Sequence, residues 1–108
     1  MPRRARRYDL FLPTVYNDGR RIPRKSFVSL EARLLSHFGG VTSQRREFPL
    51  KGTWQGATRV YVDPVVVMTA LDFRPGGSDR FLSDLKRRLL QEFNQEEMLI
   101  TEIALRVH

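Results

Sequence analysis

Two apolar stripes at helical spacing, each set between extended β-branched segments, restrict this chain to very few folds. Phe27, Leu30, Leu34 and Phe38 are separated by 3, 4 and 4 residues, and Leu82, Leu85, Leu89 and Phe93 repeat that spacing. Such a period puts each set on one face of an α-helix. Gly39-Gly40 ends the first, which spans about Arg24 or Lys25 to Phe38, glycine being the natural residue for a left-handed helix end. Ser78 is a suitable N-cap and Asp79 a favourable first-turn acid for the second, which spans about Asp79 to Asn94.

The segments between are strand-like. Tyr8 to Tyr16 is aromatic and β-branched and runs into the turn Asn17-Asp18-Gly19; Pro13 predicts a bulge or an early end there. Val41 to Trp54 has no clean apolar face and carries Pro49, which suits an edge strand. Arg59 to Phe73 is the most β-prone stretch, and Pro64 is expected to divide it into 59–63 and 65–73. Met98 to Val107 alternates like a strand with one wet side. The order is β-α-β-β-α-β. Right-handed crossovers put both helices on one face of a four-stranded antiparallel sheet, an α+β ferredoxin-like two-layer sandwich with the first and third strands central. At 108 residues the chain suits one domain, assigned to 8–108.

The net charge of +7 is local. Residues 1–25 hold Arg3, Arg4, Arg6, Arg7, Arg20, Arg21, Arg24 and Lys25 against Asp9 and Asp18, while the remainder is nearly neutral. Residues 1–7 read as a flexible basic arm and 20–25 as a basic loop, both able to neutralise phosphates and release counterions. A solubilising tail is the competing explanation. There is no cysteine, which excludes disulfides and thiolate chemistry. The basic start lacks a following apolar stretch, so no secretory signal is expected, and the chain reads as cytoplasmic and not membrane-bound.

The helix end Phe38-Gly39-Gly40-Val41-Thr42, Gly52-Thr53-Trp54, Val60-Tyr61-Val62-Asp63 and Phe93-Asn94-Gln95-Glu96-Glu97 resemble a family of small uncharacterised bacterial proteins, with the Phe-x-Gln-Glu corner the most distinctive. The resemblance covers nearly the whole chain after Arg7. It implies the ferredoxin-like layout and no activity.

Few residues suggest chemistry. His37 and His108 are far apart and lack a carboxylate at ligand spacing, so no metal or other cofactor is expected; His37 suits a protonated helix-end histidine. Asp9 and either Asp63 or Asp72 would have to gather to make a metal-dependent nuclease, whereas Asp18 reads as a turn residue capping local donors. Gln95-Glu96 would close a corner, and Gly76-Gly77-Ser78-Asp79 lacks the lysine of a phosphate loop.

The run Val65-Val66-Val67-Met68 is apolar on both faces, so the face without helices needs a cover, and a homodimer supplies one. The function expected is a non-catalytic homodimeric module contacting nucleic-acid phosphates through the arginines and Lys25. The alternatives are a small enzyme or ligand binder with a pocket of Tyr16, His37, Trp54, Tyr61 and Asp63, or a protein-interaction subunit pairing through its edge strand.

Overall fold

A computed structural model describes all 108 residues. The elements are β1 (Arg3–Pro13), α1 (Arg24–Phe38), β2 (Thr42–Ser43), β3 (Leu50–Gln55), β4 (Val60–Asp72), α2 (Asp79–Glu92) and β5 (Leu99–Val107). They form an α+β chain of two helices and a five-stranded antiparallel sheet. β1 lies between β5 and β4, and β2 and β3 both pair with the far side of β4, at Met68–Thr69 and at Val60–Val65.

Period-two alternation on the central strands builds the core. Tyr8, Leu10 and Leu12 of β1 and Val66 and Met68 of β4 are buried against Phe27, Leu30 and Leu34 of α1 and Leu85 and Leu89 of α2. Both helices therefore cover one sheet face. Each fully buried leucine contributes about 2 kcal/mol. Ile22, inside the segment expected to be a basic loop, is also fully buried, and its N–H donates to the Thr14 carbonyl.

Several expectations are corrected. Arg3 to Arg7 are not a free arm but the first half of β1, paired in register from Arg3↔Val107 to Arg7↔Ile103. Ala5 is buried between them. β1 ends at Pro13, and Tyr16 belongs instead to a small hairpin closed at Val15↔Arg21. The expected single edge strand is two, because the chain leaves the edge after Ser43 in a turn closed by Phe48 N–H on the Arg45 carbonyl and rejoins at Leu50.

Pro64 does not split β4. A residue in a strand points its N–H and C=O to the same side, and the Pro64 carbonyl accepts from Thr14 N–H, just past the end of β1. The Thr14 carbonyl, which Pro64 cannot serve, takes its hydrogen bond from Ile22 N–H. No backbone acceptor is orphaned there, and the proline is tolerated.

The valine run is mostly enclosed in one copy: Val65 and Val66 are buried and Val67 is half-buried. What stays uncovered is wider. In-register pairing puts Leu50, Trp54, Tyr61, Val67, Leu71, Phe11, Leu99 and Ile103 on the face opposite the helices. Of these Leu50, Trp54, Tyr61, Leu99 and Ile103 are 40–50% exposed.

Candidate functional site

The arginines of β1 alternate between faces. Arg3 and Arg7 point to the helix-free face, where Arg3 lies 3.9 Å over the Phe73 ring and Arg7 pairs with Asp9 at 3.2 Å. Asp9 also accepts from Thr69 Oγ1 at 2.6 Å. Arg4 and Arg6 point to the helix side. Arg4 stands directly opposite Arg106 of β5, and Arg6 opposite Asp72 of β4. Together with Arg74 these residues line a groove of about 610 Å³ beside the start of α2.

The groove floor is a buried polar cluster. The Asp72 carboxylate, 1% exposed, accepts from Ser78 Oγ at 2.6 Å and from the Arg74 N–H and Nη1 at 3.1 and 3.2 Å, with Tyr8 OH at 3.5 Å. Tyr8 OH in turn accepts from Ser78 N–H at 3.2 Å. Burial alone would raise the Asp72 carboxyl, but the Ser78 and Arg74 hydrogen bonds and the guanidinium charge outweigh it and hold it below the ordinary value. Burial raises the Tyr8 phenol. Arg74 also donates to the His37 carbonyl at 2.7 Å, tying the end of α1 to β4. Gly77 turns the chain into α2 at φ +72°, and a Cβ there would collide with the Arg6 guanidinium.

Ser78 makes no side-chain cap hydrogen bond; its hydroxyl is turned instead to the ionised Asp72, to which it donates. Its oxygen lies 3.0 Å from His37 Nε2, so His37 donates to it. The hydroxyl stands between acid and imidazole, and its proton goes away from the histidine, the reverse of what an acyl-transfer nucleophile requires. The His37 ring stacks on Phe81 at 3.7 Å. Burial, with the Arg74 charge added, lowers its pKa, which corrects the protonated helix-end reading. Because the unfolded chain then binds the proton more readily, stability should rise with pH through the window just below the ordinary value of about 6.5. Urea titrations of wild type and His37→Gln across that window check this: the variant should lose the slope, and an equal slope in both proteins counts against it.

The remaining basic residues lie elsewhere. Arg20, Arg21, Arg24 and Lys25 follow the other end of β1, about 33 Å away along an 11-residue strand. Arg20 is held by Asp18, which accepts its N–H at 3.0 Å and its Nε at 2.7 Å, so Asp18 is the turn residue expected. Arg24 and Lys25 open α1, whose first turn holds no acidic residue. The basic residues thus form two separate ends.

The five residues expected to share a pocket do not. His37 is in the Asp72 cluster and Tyr16 in the β1–α1 hairpin, while Trp54 and Asp63 line a cavity of about 500 Å³ on the helix-free face with Phe11, Pro13, Val65 and Glu97. Tyr61 pairs with Trp54 in register but lies outside the lining. Asp9, Asp63 and Asp72 are likewise apart: Asp72 points to the helix side, and Asp9 is tied to Arg7 and Thr69. Sequence reasoning missed Arg74 and Arg106, which stand outside the basic run that signalled the others, and read Ser78 as a helix cap only.

These features define an α+β chain with an arginine-lined end and an acidic, aromatic cavity on an open sheet. No protein-family model matches it, so the family resemblance rests on its motifs, and no curated protein matches either. Its fold is similar to that of a solved phage SAM lyase in complex with S-methyl-5′-thioadenosine, at TM-score 0.60 and 12% identity, covering 95% of this chain and 88% of that one. At that identity the likeness concerns the fold.

Proposed function

We propose that this chain is a non-catalytic, homodimeric, cytoplasmic binding module of ferredoxin-like architecture that contacts nucleic-acid phosphates through its arginine-lined end. With β2 and β3 taken as one interrupted edge, the sheet has the four positions and central pair of that architecture. The observation that carries the functional reading is the opposition of Arg4 and Arg106, with Arg6 and Arg74 in the same groove. Like charges directly opposite one another destabilise a sheet, and the one carboxylate lining the groove, Asp72, is buried and already satisfied. A phosphate offsets that repulsion, and arginine's planar fork matches its oxygens. The cations opening α1 at the other end supply a second contact along an extended strand.

Fluorescence anisotropy with labelled single- and double-stranded oligonucleotides over a salt series tests this. Arg4→Ala/Arg106→Ala should reduce the slope of log Kobs against log salt by about 0.9 per lost duplex contact, or about 0.7 on a single strand. An unchanged slope, or no binding at low salt, removes nucleic acid from the reading.

A second reading, a ligand binder or small enzyme, is favoured by the cavity around Trp54 and Asp63. The phage lyase of similar fold is bound to a nucleoside thioether, which supports a small-molecule site on this architecture.

A further inference from the structure

We infer that the cavity walled by Phe11, Trp54 and Asp63 binds a small organic cation carrying an apolar or aromatic group. The inference names a ligand class for the second reading. It is separate from the Arg4–Arg106 groove of the phosphate reading, which lies toward the other end of β1.

Charge is the first argument. In a chain of net charge +7, not one of the ten residues lining this cavity is Lys, Arg or His, and two are carboxylates. Glu97 is already engaged: it pairs with Lys86 Nζ at 2.7 Å and accepts from Met98 N–H at 2.9 Å, which together lower its pKa. The Asp63 side chain, half-buried, forms no hydrogen bond or ion pair. An anion entering here would meet uncompensated negative charge, whereas a cation would neutralise it.

The aromatic wall is the second argument. Gly52 is the cross-strand partner of Asp63, and a Cβ at that position would stand 3.0 Å from Trp54 Nε1 and 3.1 Å from Cζ2. Glycine at 52 therefore lets the indole lie in against the β3 backbone, next to the position of Asp63. Phe11, Pro13 and Val65 complete an apolar lining. An indole beside a free carboxylate recognises a poorly hydrated cation such as a quaternary ammonium or sulfonium group: the ring attracts the charge through its quadrupole and the carboxylate adds direct attraction. A volume of about 500 Å³ suits a small molecule.

Trp54 is the single tryptophan, so its emission reports the cavity directly. Titration with benzyltrimethylammonium should give a saturable change, with benzyl alcohol and phenylphosphonate at least about tenfold weaker. Asp63→Asn, which leaves the fold and the reporter in place, should weaken the cation about tenfold and the neutral probe little. Equal response to cation and neutral probe, no saturable response to the cation, or full cation affinity in Asp63→Asn would each overturn the inference. S-methyl-5′-thioadenosine is the comparison ligand: binding as tight as that of the cation would retain a ligand-binding cavity and reject the cationic class. Each result leaves the salt slope at the arginine end as a separate measurement.

Discussion

Asp72→Ala should lower the stability of the fold by about 3 kcal/mol, read as a fall in Tm on the order of 15 °C. The carboxylate is nearly inaccessible and gathers groups from three places in the chain: the hydroxyl opening α2, the main chain and guanidinium after β4, and the phenol of β1. Removing it leaves Ser78 Oγ and Tyr8 OH buried without their acceptor, and an unmade buried hydrogen bond costs more than a made one contributes. The Arg74 guanidinium is about half exposed and returns to water, so the ion pair adds little of the loss. Asp72→Asn should recover part of the stability by accepting from Ser78. The difference between wild type and Asp72→Asn should also depend on pH. The folded pKa of Asp72 is depressed, so its stabilisation is complete above the unfolded value of about 3.9 and is lost as pH falls through the lower folded value. A difference that stays constant through that acid range would contradict the ionised carboxylate.

Much of the architecture is legible in the sequence because burial is periodic. The 3, 4, 4 spacing of Phe27, Leu30, Leu34 and Phe38 locates α1 and its end, where Gly39 turns the chain at φ +83°. The arginine-rich start is the instructive failure. A run of like charge reads as solvated arm, yet alternation makes it a strand: Ala5 is buried, Arg4 and Arg6 face one side, Arg3 and Arg7 the other. Their pairing depends on β5, about one hundred residues later, which no local pattern announces. Pro64 misleads for a related reason, since the penalty for a missing N–H is set by whether a neighbour needs it, and Ile22 answers that need from a turn. The candidate site is less legible than the fold. Asp72, Arg74 and Ser78 lie along the connection from β4 to α2 while Arg106 lies near the end of β5, and nothing in the spacing shows that they meet.

Ile103→Asp should turn the proposed dimer into a monomer, weakening self-association on the order of 100-fold or more. Ile103 is 48% exposed on the helix-free face, and Leu71, its neighbour across Arg7, lies on the same side. The Arg7–Asp9 ion pair and the Thr69–Asp9 hydrogen bond beside them balance charge locally, so a partner sheet meets a mostly apolar surface there. In the proposed homodimer a two-fold axis brings the same face to itself, covering Ile103 on both sides with one operation. An aspartate at 103 would be desolvated twice in such a dimer and gain no cation, since Arg7 already serves Asp9. In the free monomer the same side chain reaches water and costs little. Leu35→Asp, on an exposed position of α1, is the control and should leave association unchanged. Sedimentation velocity should therefore give twice the chain mass for wild type and Leu35→Asp and a single chain for Ile103→Asp. A monomeric wild type, or an Ile103→Asp dimer as tight as wild type, would show that the open sheet meets something other than its own copy.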